Sequence, residues 1–279
     1  MARLRYVKAP ATSGTNAPSP SGIRHSVRSI RAFYETEPEI AAAVLPRPLV
    51  AASAPQVFVQ FAHVAMHLSP ERTVEVGAAT VGIACTYEGR PGHYVLTMPM
   101  EGEFVVIGGR EKFGEPKKIA ETKFRIEGDR VNAQVIRHGI PFLELEGRIG
   151  GESDGPKKFT EHLFCYKAMP SCQPEKSTNG GFDGDVLLTQ LNWERDYTSL
   201  RRLEEGKIIL RESARDPLVD IPVKRILRME YAEGASKTGG EVLCSVPGEW
   251  LAPFVVQRYD DPQPGIEVPL ASERKAAHA

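Results

Sequence analysis

The chain lacks a long uninterrupted apolar run, a block of five or six like charges and a Cys-x-x-Cys pair. Its most apolar stretch, 41–66, is broken by Pro46, Arg47, Pro48 and Pro55, which excludes a membrane-spanning helix there. Lys plus Arg number 35 against 36 Asp plus Glu, a formal net charge of −1. Neither nucleic acid nor an anionic membrane surface is therefore an expected partner. The four cysteines, Cys85, Cys165, Cys172 and Cys244, are scattered, and the basic N-terminal residues lack the apolar centre of an export signal. Free thiols in a reducing cytoplasm are expected, with Cys165 and Cys172 as buried apolar groups. The two tryptophans, Trp193 and Trp250, read as core or interface residues. These absences point to a small molecule as the partner.

At 279 residues the chain can bury a sizeable core as one domain. Residues 1–22 are expected to form a flexible arm, because 9–22 are rich in Ala, Ser, Thr, Gly and Pro without a hydrophobic period. The domain is expected over 23–270, with 271–279 a loose polar tail. Thr36 followed by Glu39 has capping-box spacing, and Ile40, Ala43 and Val44 make one face before Pro46, so a short helix is predicted there.

Strand signals dominate the rest. Val57–Phe61, His93–Met98, Phe104–Ile107, Phe124–Glu127, Val131–Val135 and Leu143–Ile149 alternate or run apolar over strand lengths, and Leu163–Ala168, Val186–Trp193, Lys207–Leu210 and Val242–Val246 follow suit. Ser199–Glu205 reads as a further short helix. Many closely spaced strands with few helices predict an α+β, mainly antiparallel β domain built on a curled, barrel-like sheet.

The segment from Gly108 to Ala120, Gly-Gly-Arg-Glu-Lys-Phe-Gly-Glu-Pro-Lys-Lys-Ile-Ala, carries the chemistry. A neutral lysine amine attacks a ketone to form a Schiff base, and the protonated imine then draws electrons from an adjacent bond. Gly-Arg-Glu, four variable residues and Pro-Lys-Lys together resemble the signature of the acetoacetate decarboxylase family. Tyr34-Glu-Thr with Leu45-Pro-Arg-Pro-Leu49, Phe61–His67, Gly92-His-Tyr, Ile221–Ile226 and Pro253–Asp260 resemble that family at matching places. The resemblance implies the family's barrel-like fold and makes Lys117 the Schiff-base lysine with Lys118 its neighbour. It also implies a pocket carboxylate at Glu75 and an arginine that binds the substrate carboxylate: the matching position falls on Val27, and the role is assigned to Arg28, one residue off, with Arg24 and Arg31 nearby. The family's other pocket glutamate falls on Ala62; Glu115, two residues before Lys117, is expected to replace it.

Adjacent residues diverge on a strand or a helix, so Lys117 and Lys118 are not expected to share one pocket, and burial is expected to activate Lys117 more than its neighbour does. His63 and His67 lie ~13 Å apart on a strand, so no metal is expected there, and no cofactor elsewhere. The resemblance implies a cytoplasmic lyase, expected as a homo-oligomer, that decarboxylates a small 3-oxo acid such as acetoacetate. An aldolase-dehydratase condensing a 2-oxo acid such as pyruvate with an aldehyde is the alternative within the superfamily. A non-catalytic carrier of a small apolar acid is the alternative outside it.

Overall fold

The computed structural model describes residues 5–7 and 23–271. The expected arm, apart from 5–7, and the expected tail beyond 271 lie outside the described residues. Among the described residues twelve strands make one sheet: β1 (Ile23–Glu35), β2 (Val50–Ala51), β3 (Gln56–Ser69), β4 (Arg72–Tyr87), β5 (Arg90–Met100), β6 (Lys117–Ile119), β7 (Glu121–Glu127), β8 (Arg130–Arg137), β9 (Ile140–Glu152), β10 (Lys158–Pro170), β11 (Phe182–Leu210) and β12 (Arg225–Val246). The helices are α1 (Pro38–Ala43) and α2 (Glu103–Phe113), with a few single 3-10 turns.

The pairing order runs β10-β5-β4-β3-β1-β12-β11, and β10 pairs again with β11, so these strands close a ring. All pairs in it are antiparallel except β10 with β5. The far end of β11 leaves the ring to pair β9, which continues into β8 and β7. The largest apolar core lies between that wing and the outer wall of the ring. Ile30, Ala32, Tyr34, Val57, Val59, Phe61, Val81 and Ile83 there meet Val131, Ala133, Val135, Leu143 and Leu145. Because side chains alternate across a strand, the intervening residues of β1 and β3 face the ring interior. That interior row on β1 reads His25, Val27, Ser29, Arg31 and Phe33. The barrel is thus apolar outside, where the wing covers it, and partly polar within.

Three local expectations are corrected. Phe104–Ile107 is helix, inside α2, where a strand was expected. Gly102, at φ 86°, turns the chain into α2, Gly114, at φ 75°, ends it in the left-handed region, and Val106 packs on Met66, Val76 and Met100. A four-residue apolar run has no period long enough to separate the two structures. Ser199–Glu205 is strand, within β11. Leu200 and Leu203 are both buried at helical spacing because the register slips between Arg201 and Leu203, and this bulge imitates a helix in the sequence. The capping box does not form: α1 starts from Glu37 without a side-chain cap, and the buried Thr36 hydroxyl has no partner among the described residues.

Candidate active site

Gly109, Gly114, the arginine and the lysines of the central motif each acquire a physical reason. α2 ends at Gly114, whose backbone passes so close to β10 that a Cβ would lie 2.4 Å from the Tyr166 carbonyl oxygen and 2.5 Å from the Lys167 nitrogen. The chain then reverses through Glu115-Pro116 into β6, which runs parallel to β5 with Lys117 opposite Met98. Arg110 donates to the Lys117 carbonyl at 2.8 Å and to that of Arg258 at 3.0 Å, while Arg258 donates to the carbonyls of Tyr166 and Gly114 at 2.8 and 2.7 Å. Two guanidinium groups therefore clamp the turn that presents Lys117. Burial lowers the Arg258 pKa below the ordinary arginine value.

Lys117 is 7% exposed and Glu115 4%. The Lys117 ammonium donates to the Glu115 carboxylate, with Nζ to Oε2 2.8 Å, and lies 3.4 Å from the Val105 carbonyl oxygen of α2. Gly109 leaves room for the pair, because a Cβ on it would sit 2.1 Å from Glu115 Oε2 and 2.5 Å from Lys117 Nζ. Beside β6 lies an apolar cluster of Val95, Met98, Leu163, Cys165 and Leu191, with Phe113 and Trp193 against it. Burial, together with the Glu115 charge, pushes the Cys165 thiol well above the usual cysteine range. Cys172, expected to be buried, is exposed.

Lys118 leaves the strand in another direction. Its ammonium lies 3.1 Å from both Asp216 Oδ1 and Asp260 Oδ1 and donates to the Arg215 carbonyl at 2.7 Å, and Arg137 bridges the same two aspartates. Although burial acts against its charge, bonds from Arg137 and Lys118 hold the Asp260 carboxyl down to about 2. The expected divergence of the two lysines is what the contacts display.

Of the other expected residues, only Glu115 is brought to Lys117. Glu75 has a side chain 65% exposed and faces His63 at 3.7 Å, away from the site. Arg28 is exposed, between Glu233 and His63 in the register, so it stands on the outer face of β1. Its absence from the site follows from the one-residue slip that turns a strand side chain over. His67 accepts or donates to Ser26 at 2.8 Å and Thr73 at 3.1 Å. Among the described residues no three His, Cys, Asp or Glu side chains gather as a metal-binding group. A surface concavity of about 860 Å³ lies elsewhere, among 171–185 and 245–247.

Sequence reasoning missed the ring's polar filling. Glu161 on β10 takes Arg31 of β1 on one oxygen and Arg195 of β11 on the other, the latter at 2.8 Å, and Arg31 also reaches Glu230 at 3.4 Å. Despite full burial, the two arginines hold the Glu161 carboxyl down to about 2. Arg195 further donates to Gln60 at 2.9 Å and Ser236 at 3.2 Å and stacks 4.4 Å over the Trp193 ring. The available signal was the row Leu191, Trp193, Arg195, in which a cation continues an apolar alternation.

The chain is 33% identical over 96 residues to acetoacetate decarboxylase 1 of Bradyrhizobium diazoefficiens, a match covering 34% of this chain and 37% of that relative's length. In shape it is similar to the crystal structure of acetoacetate decarboxylase from Legionella pneumophila, with TM-score 0.67, 18% identity, and 86% of this chain and 99% of that one covered. It is similar too to the enduracididine biosynthesis enzyme MppR complexed with the condensation product of pyruvate and imidazole 4-carboxaldehyde, with TM-score 0.63, 14% identity, and 84% and 97% covered. These two likenesses establish the fold. The acetoacetate decarboxylase family model matches residues 7–245, and the chain belongs to that family.

Proposed function

We propose that the protein is a Schiff-base-forming lyase that decarboxylates a small 3-oxo acid such as acetoacetate through an imine on Lys117. The observation that carries this reading is a buried lysine amine hydrogen-bonded to a buried carboxylate, Glu115, beside an apolar cluster and on the family's Pro-Lys-Lys segment. Membership of the family supports a lyase in the broad sense. Glu115 is the base positioned to take the Lys117 proton, leaving both groups neutral. The amine then adds to the ketone and water leaves. The protonated imine accepts the electron pair of the bond to the departing carboxylate, carbon dioxide is released, and the enamine is protonated at carbon and hydrolysed to the product ketone and free Lys117.

Incubation with acetoacetate or pyruvate and borohydride is expected to add mass to the peptide containing Lys117. Labelling of Lys118 alone refutes the Lys117 assignment, and labelling of nothing with any keto acid refutes the reading and leaves a non-catalytic carrier of a small apolar acid. A second reading keeps the imine and changes the outcome: an aldolase-dehydratase in which the enamine of a 2-oxo acid attacks an aldehyde before water is lost. Ala62, where the family resemblance calls for a glutamate, favours it, as does the likeness to MppR. Carbon dioxide release across a panel of 3-oxo and 2-oxo acids separates the two.

A further inference from the structure

The resemblance calls for an arginine on β1 beside the lysine, and the inner face of β1 offers His25 at that end of the ring. Opposite His25 on β12 is Ser236, and opposite Ser236 on β11 is Arg195, so the three form one row across adjacent strands with side chains on the same face. His25 is partly buried, and its Nε2 is a buried atom without a partner among the described residues. A buried ring nitrogen left without a hydrogen bond carries a desolvation penalty that a ligand can relieve. Arg195 is 4% exposed and is held by Glu161, Ser236 and Gln60 through Nε, Nη1 and Nη2. Each of its two terminal nitrogens carries a second N–H. Trp193, under the Arg195 guanidinium, also packs on the cluster that contains Met98, the residue opposite Lys117. The row is therefore joined to Lys117 through one shell of packed side chains.

We infer that His25 and Arg195 form a carboxylate subsite beside Lys117, in which the cation that holds the acid group comes from β11 and not from β1. The inference rests on the reading that a keto acid meets Lys117. The acid accepts from the spare Arg195 N–H groups and from His25 Nε2–H, and its carbonyl carbon faces Nζ. Burial first, then the Arg195, His67 and Lys117 charges, lowers the His25 pKa to about 4, so at neutral pH the ring is uncharged and serves as a neutral donor. Glu161 fixes Arg195 from behind, which presets the guanidinium before the ligand arrives.

Butyrate has a carboxylate and no ketone, so its binding reports this subsite without any imine. Calorimetry on the full chain is expected to show butyrate binding and no binding of neutral butyramide. Arg195→Gln should weaken butyrate by ~100-fold or more and His25→Leu by about 10-fold, in line with losing a buried charged partner and a single hydrogen bond to a charged group. Arg195→Gln also removes a partner of Glu161; if it does not fold, His25→Leu decides alone, since its Nε2 supports no other residue. As a second readout, borohydride trapping in His25→Leu should slow for acetoacetate and not for acetylacetone, whereas structural damage slows both. Unchanged butyrate affinity in His25→Leu, equal slowing with both ketones, or no butyrate binding by the wild type overturns the inference. Absence of trapping in the wild type, with butyrate binding still dependent on His25 and Arg195, overturns the imine reading and leaves the subsite standing.

Discussion

Gly109→Ala separates the site from the fold with a single methyl group. The new Cβ would lie 2.1 Å from Glu115 Oε2 and 2.5 Å from Lys117 Nζ, where ordinary contact begins at 3.4 Å. Restoring contact moves the carboxylate oxygen by about 1.3 Å and the ammonium by about 0.9 Å. Both atoms end flexible side chains, so they yield and the backbone stays. A misplacement of ~1 Å of a reacting group costs on the order of 100-fold in rate. Stability should hold, because alanine is better than glycine inside a helix by ~1 kcal/mol, which offsets the cost of the displaced ion pair. Gly108→Ala supplies the internal control: it makes the same helical exchange one position earlier, with no atom within 4 Å of the new Cβ. Single-turnover borohydride trapping with acetoacetate and with pyruvate, beside thermal melting, is the assay. The expectation is a roughly 100-fold slower trapping for Gly109→Ala, with melting near wild type, and no slowing for Gly108→Ala. Wild-type trapping in Gly109→Ala, or equal slowing in both variants, refutes the account of the Lys117–Glu115 pair.

Glu115→Gln keeps the shape of the side chain and removes the proton acceptor, so trapping at neutral pH should fall by ~100-fold or more; wild-type turnover removes Glu115 from the chemistry. Lys118→Ala withdraws one cation from the two shared by Asp216 and Asp260, and about 3 kcal/mol of stability should go with it, read by urea unfolding; a loss under 1 kcal/mol contradicts the buried ion cluster. Stability should also fall on acidification from near pH 6.5 to 4. Burial lowers the His93 pKa to about 4 in the fold, so the unfolded chain takes up the proton first; the stability is whole above 6.5 and lost as the pH drops toward 4. His93 supplies roughly 3 kcal/mol of it, and His93→Gln should remove that share of the pH–stability limb measured by chemical denaturation, leaving the share of His25, whose pKa burial also lowers to about 4. Below that range Glu161 takes over with the same sign, because its depressed carboxyl loses stability as the pH falls from 4.5 toward about 2.

Much of this protein follows from local chemistry. The strands with a clean two-residue period, such as Val131–Val135 in β8 and Leu143–Ile149 in β9, stand where alternation puts them, and Pro46 ends α1 by limiting what can follow it. The divergence of Lys117 and Lys118 needs only that neighbours on a strand point apart. β4 was illegible because 79–83 are buried on both faces, which erases the two-residue period, and Gly77, Gly82 and the alanines interrupt its β-branched residues. The long β11 was broken into pieces because its bulges place Leu200 and Leu203 at helical spacing. Only ring closure decided which face of β1 is inside: Ile30, Ala32 and Tyr34 look like the core row and do form a core, but against the wing, which leaves His25, Ser29 and Arg31 facing the interior. The same closure put Arg28 and Glu75 on the outer surface and carried Arg195, far along the chain, into the row of His25. A strand's period determines that its two faces differ; which face meets solvent and which meets a substrate depends on what packs against each, and that is a property of the tertiary structure alone.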